Sequence, residues 1–182
     1  MPKSVYLYLR STGYRTNKDV RALQIHRRPK LVGEVAEALH KTGLRPSALG
    51  LEITEGVVMD DARSAIATLR ELAGLGVGLA VDDFGTGHSS LSVLHRFPVE
   101  VLKIDRSFIE GLEDDPGDGV ILSAMFELAR TLGLKAVAEG VESAEQLARL
   151  QKMGCEVAQG NYFSQPLPSE AASELLATGL RL

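Results

Sequence analysis

The sequence predicts an α/β fold in which parallel strands are covered by helices, a barrel or part of one that is incomplete at its N-terminus. Three observations predict it. Short apolar runs alternate along the chain with stretches of helical periodicity. Those runs are apolar at successive positions, as strands buried on both faces are. No G-x-G-x-x-G follows the first of them, which argues against an open dinucleotide-binding sheet. Length sharpens the expectation. An eight-unit (β/α) barrel takes ~250 residues, or about 31 per unit, so 182 residues hold about six units.

The elements follow in order. Residues 1–28 form a basic leader in which Ser4–Leu9 and Val20–Ile25 are candidate strands without turn residues to frame them. The domain proper runs over 29–182. After Pro29, Leu31, Val32, Val35, Ala38 and Leu39 fall at helical spacing and Gly43 supplies a stop. Strands are expected at 49–54 (LGLEIT), 76–84 (GVGLAVDDF), 99–105 (VEVLKID), 134–141 (LKAVAEGV) and 154–160 (GCEVAQG). Between them lie a helix over 62–73, carried by Ala65, Ile66, Leu69 and Leu72, and one over 118–132, carried by Val120, Ile121, Ala124, Met125 and Leu128. A third spans 143–153, where Ser143 and Gln146 make a capping-box pair and Gly154 closes it. A last helix is expected over 169–177, after Pro168 and before Gly179.

Composition bounds the function. At 45% hydrophobic and 24% charged residues, the chain has the make-up of a soluble globular protein. No run approaches the ~18 apolar residues of a membrane span, and the short apolar patch at Val5–Leu9 is broken by Arg10, unlike a signal peptide. The single Cys155 excludes a disulfide framework and a zinc site built from cysteines. A cytoplasmic location is the expectation. Residues 1–30 carry eight basic side chains against Asp19 alone, a net +7 in a chain that totals −4. Such an arm suits nucleic acid or an anionic surface, but no nucleic-acid motif accompanies it, so a solvated leader is the simpler reading.

The polar residues of the strands are more telling. Glu52 with Glu55 just beyond, Asp82–Asp83, Lys103 with Asp105, Glu139 with Glu142, and Gln159 all fall near the C-terminal ends of their strands. That is the edge where parallel α/β folds bind ligands. Glu52, Asp82, Asp83 and Glu139 would bring four carboxylates into one pocket, where they must protonate or hold cations. Oxygen donors suit Mg2+ or Mn2+. Adjacent aspartates could let one carboxylate bridge two ions, the device that activates water against a phosphodiester. Lys103 adds a cation for a phosphate oxygen or the attacking water. Each residue has a plainer explanation: turn chemistry for Asp82–Asp83, a snorkelling Lys103, and a helix-start charge at Glu142. The joint pattern outweighs them.

Leu-Glu-Ile-Thr-Glu (51–55), Asp-Asp-Phe-Gly-Thr-Gly (82–87) with Ser89-Ser90, Leu-Lys-Ile-Asp (102–105), Ala-Glu-Gly-Val-Glu (138–142) and Ala-Gln-Gly (158–160) resemble, in order and spacing, the successive motifs of the EAL domain. That family comprises bacterial cyclic di-GMP phosphodiesterases. The resemblance implies a TIM-barrel-like domain that converts cyclic di-GMP to pGpG with two Mg2+ or Mn2+ ions. By motif, Glu52 would ligate the first ion, Asp82 would bridge both, and Asp83 and Glu139 would serve the second. Lys103 would position or activate the water, with Gln159 assisting. Glu55, the loop of Phe84, Gly85, Thr86 and Gly87, and Glu142 would support the active-site loop and a dimer contact. Asp105 is carried over as a substrate-binding candidate, and a homodimer or a signalling protein as the partner.

The departures shape the functional expectation. The Glu-Ala-Leu at 37–39 lies within a helix, so the family's first-strand glutamate and a nearby phosphate-binding arginine are missing. Val20 stands where the family has a ligand asparagine, the nearest being Asn17, and His88 replaces the usual tyrosine. Two of four ligands to the first ion are thus absent, and metal affinity depends on ligand count. Two readings stay open: a phosphodiesterase of impaired activity, and an inactive module that binds cyclic di-GMP or a protein. A nucleic-acid regulator is the third and has only the +7 leader behind it. With about two βα units missing, one side of the sheet should expose strand edge and apolar surface.

Overall fold

The computed structural model describes residues 30–55, 62–86, 94–113 and 116–168, together with Ala171. Residues 1–29 (the leader among them), Gly87, His88, Ser89-Ser90 and, apart from Ala171, the helix expected over 169–177 lie outside the described residues. Among the described residues five strands form one parallel sheet in sequential order: β1 (Gly50–Thr54), β2 (Gly78–Phe84), β3 (Val101–Ile104), β4 (Lys135–Ala138) and β5 (Val157–Ala158). Sequential order in an all-parallel sheet is what repeated βα units produce when each crossover adds its strand beside the last. The α/β expectation therefore holds.

The helices are α1 (Leu31–Thr42), α2 (Ala62–Gly74), the short α3 (Ser107–Glu110), α4 (Pro116–Thr131) and α5 (Ala144–Lys152). Gly43 ends α1 in the left-handed conformation, φ 66°, returning its N–H to Leu39 O as a C-cap glycine does. The capping box of α5 forms as expected: Ser143 Oγ accepts from Gln146 N, and Gln146 Oε1 accepts from Ser143 N. Helix α4 starts two residues earlier than its apolar spacing suggests, because Pro116 fits the first helical turn. Helix α3 and the single turns at Pro46–Ala48 and Gly111–Glu113 carry no periodic signal and are new. The last strand shrinks from the expected 154–160 to two residues, Val157 and Ala158.

Two apolar clusters hold the layers together. One seats α2 on β1–β3 through Leu69, Leu72, Ile53, Val81, Phe84 and Leu102, with Leu31 and Val35 of α1 packed against it. The other joins β3 and β4 to α3, α4 and α5 through Ile104, Ala138, Ile109, Leu122 and Leu150. Met125 of α4 packs against both. Truncating a fully buried leucine such as Leu69 costs roughly 2–5 kcal/mol. Among the described residues β1 pairs only with β2, so the sheet is open at β1, and its N-terminal end lines a cavity of about 360 Å³ between Leu49, Leu51, Leu79, Val101 and Val137. Among them, too, no helix is long and apolar enough to cross a membrane.

Candidate metal and phosphodiester centre

At the opposite, C-terminal end of the strands, a lysine sits inside a ring of carboxylates. Lys103, third residue of β3, has a side chain only 4% exposed. Its Nζ lies 2.9 Å from Glu52 Oε1, 2.7 Å from Asp82 Oδ1 and 2.7 Å from Glu139 Oε1. Neighbouring parallel strands make this possible: Glu52 is on β1, Asp82 on β2 and Glu139 follows β4, so three strands aim one carboxylate each at the centre. Burial alone would lower the lysine pKa, but hydrogen bonds to Asp82, Glu139 and Glu52 outweigh it and hold the ammonium above the ordinary lysine range.

The two adjacent aspartates need a special backbone. In a regular strand successive side chains face opposite sides of the sheet, which would send Asp82 and Asp83 apart. Between β2 and β3 the register jumps: Val81 pairs with Leu102 and Phe84 with Ile104. Asp82 and Asp83 thus span what Lys103 alone spans, the arrangement of a β-bulge. Asp83 has φ 55°, the one left-handed non-glycine residue among those described. The result is that Asp82, Asp83 and Glu139 each place a carboxylate oxygen within 4.8 Å of the others. An all-oxygen set of this kind suits Mg2+ or Mn2+.

Electrostatics agree with a cation-seeking group. Burial, then the charges of Asp82 and Asp105, push the Asp83 carboxyl up, with Lys103 opposing and Glu52 adding to the rise. Burial pushes Glu139 up to about 7; Lys103 pulls against that, and Asp82 and Glu52 add to it. Gln159, just past β5, donates from Nε2 to the same Glu139 Oε1 at 3.0 Å, fixing that carboxylate from the fifth strand.

The remaining candidates fall around this core. Glu55 is buried at 3% exposure; its Oε2 accepts from Gly85 N at 2.9 Å and its Oε1 has no hydrogen-bond partner among the described residues. Phe84 closes β2 in the apolar core, and Thr86 Oγ1 donates to Asp83 O at 2.8 Å. Asp105 is occupied locally: its Oδ1 accepts from Ser107 N at 3.0 Å where α3 begins. Glu142 is exposed ahead of α5, with its backbone N–H donated to Gln146 Oε1 at 2.8 Å. Sequence reasoning missed Phe108, which packs beneath Gly85, and saw Met125 only as a core position of its helix. A glycine following paired aspartates was the available signal.

With the geometry in hand, three comparisons place it among known proteins. The sequence profile of the EAL domain matches residues 13–166, beginning within the basic leader. The bifunctional diguanylate cyclase/cyclic di-GMP phosphodiesterase MucR of Pseudomonas aeruginosa is 47% identical over 148 residues, covering 81% of this chain and 21% of that protein. The chain spans about a fifth of that relative's length. In structure it is similar to the PaMucR phosphodiesterase in its c-di-GMP complex, with TM-score 0.79 and 46% identity over 83% of this chain and 61% of that one. It is also similar to BlrP1 of Klebsiella pneumoniae in a manganese/cy-diGMP complex, with TM-score 0.72 and 34% identity over 78% of this chain and 36% of that one.

Proposed function

Because the chain belongs to the EAL domain family, we propose that it is a cyclic di-GMP phosphodiesterase domain of lowered activity, acting at a two-metal centre in the cytoplasm. The observation that carries this reading is the convergence of Asp82, Asp83 and Glu139 beside Lys103. Asp82, Asp83 and Glu139 would hold one Mg2+ or Mn2+, with Glu52 and Asp82 serving a second. When bound, such ions generate a nucleophile from water and neutralise the developing phosphate charge.

The chain's own residues do the rest. In the metal-free protein the carboxylates around Lys103 hold its ammonium above the ordinary lysine range, and its Nζ would position or activate the attacking water or hold a phosphate oxygen. Gln159 fixes the shared oxygen of Glu139. Glu55 ties the loop after β2 to the end of β1 through Gly85. The substrate is taken to be cyclic di-GMP, the compound named for the related MucR phosphodiesterase. A homodimer, or a signalling protein docked through the Glu142 region, belongs to the same proposal.

Incubation of the purified chain with cyclic di-GMP and Mn2+, followed by detection of pGpG, tests it. Turnover that disappears in Glu52→Ala supports the enzyme. A second reading, a module that binds cyclic di-GMP without cleaving it, is favoured by one observation: Glu52 stands outside the three-carboxylate group that could hold an ion. Calorimetric binding without pGpG would establish that reading.

A further inference from the structure

The carboxylate group exists only while the bulge in β2 holds. Asp83 sits at φ 55°, a left-handed conformation that residues other than glycine adopt infrequently, aspartate and asparagine more readily than most. Something must over-determine the turn. Two hydrogen bonds contribute, Gly85 N to Glu55 Oε2 and Thr86 Oγ1 to Asp83 O. The third support is steric. Gly85 has φ 100°, and a Cβ there would stand 2.6 Å from Met125 Cε and 2.6 Å from Phe108 Cε2. Both side chains therefore fill the space that a side chain at Gly85 would need. They come from different helices, Phe108 from α3 and Met125 from the middle of α4, and Met125 bridges the two apolar clusters.

We infer that Phe108 and Met125 are positioning residues: they form a floor under Gly85 that keeps the Asp82–Asp83 bulge, and with it the metal-ligand geometry, in shape. They touch neither ion nor substrate and act only through the backbone of Gly85. The consequence for metal binding rests on the phosphodiesterase reading; the mechanical part does not. A glycine is required at 85 because the floor occupies the space a side chain would take. A methionine suits the floor because its unbranched thioether fills an irregular gap between two clusters.

The experiment uses the full chain with Met125→Ala, Phe108→Leu and the conservative Met125→Leu. In metal-free protein, amide hydrogen exchange is read at Gly85 and at Leu102 in the sheet centre. Met125→Ala should exchange Gly85 about tenfold faster with Leu102 unchanged, and Met125→Leu should restore protection. In calorimetry the Mn2+ dissociation constant should rise about tenfold in Met125→Ala, the range for groups that orient ligands from behind, and recover in Met125→Leu. Phe108→Leu should move both readouts in the same direction by less. Unchanged Gly85 exchange overturns the proposal. So does equal acceleration at Leu102, which would mark a purely structural side chain, or faster Gly85 exchange with unaltered Mn2+ affinity. Native protein that binds no Mn2+ overturns the phosphodiesterase reading instead and leaves the exchange arm to decide the floor.

Discussion

The two flanks of Lys103 are built differently. On one side Asp82, Asp83 and Glu139 converge, and a bulge, a left-handed aspartate and Gln159 hold them together. On the other stands Glu52 in a regular stretch of β1, paired in register with Ala80, its oxygen engaged by the ammonium. The first flank is a candidate ligand set with its supports; the second is a single carboxylate, and the ammonium lies against both. Metal selectivity and affinity follow ligand number and preorganisation, so the two sides should answer metal differently although they share Lys103 and Asp82.

The largest way to break this contrast is to remove the cation both flanks share. Lys103→Met leaves the buried carboxylates without their partner and should destabilise the metal-free protein by roughly 3 kcal/mol at neutral pH. Chemical denaturation should show the loss shrink at pH 5, where carboxyls protonate, and shrink again when Mn2+ is added. A loss that neither acid nor metal reduces would mean Lys103 serves packing alone. Next comes the direct comparison. Asp83→Asn should weaken Mn2+ binding by about a hundredfold and Glu52→Gln by no more than about threefold, read by calorimetry. Equal losses would make the flanks equivalent.

The pH dependence is a smaller effect with a definite sign. Glu139 is raised from 4.5 to about 7, so the folded protein binds that proton more tightly than the unfolded chain. Its contribution to stability is complete below pH 4.5 and is lost as pH rises through about 7. The melting temperature of metal-free protein should fall across that window, and fall less in Glu139→Gln. Over the same range Mn2+ must displace the proton, so its affinity should climb by up to about tenfold per pH unit and level off above about 7. A flat profile would place Glu139 outside the metal-binding flank. The smallest effect lies away from both flanks. Ser143→Ala removes the α5 cap and should cost about 1 kcal/mol in denaturation without altering Mn2+ affinity.

The sequence made the architecture legible because its signals are local. Leu69 and Leu72 reveal the core face of α2 by spacing, Ser143 and Gln146 announce a cap, and the apolar runs mark β1 to β4. That Glu52, Asp82, Asp83, Lys103, Glu139 and Gln159 would gather at one edge was legible too, since strand ends in a parallel sheet share it. How they divide was not. Strand periodicity gives no reason for Asp82 and Asp83 to face the same way; that depends on a bulge defined by its pairing with β3. Nor could it foresee that Glu52 would be held by Lys103 from two strands away, or that Asp105 would close a turn onto Ser107. Helix α3, four residues long, is too short to show a period, and Phe108 was hidden with it.

The buried ammonium has a consequence for how such a domain comes into being. A divalent ion must be acquired from the surroundings, whereas a lysine is delivered with the chain. Placing Nζ among the three carboxylates neutralises part of their mutual repulsion at the moment the strands assemble. If the group holds ions as proposed, folding should not depend on metal supply, unlike that of small domains whose ion is their core. The protein should then keep its shape when stripped of ions, with loading a late, reversible step.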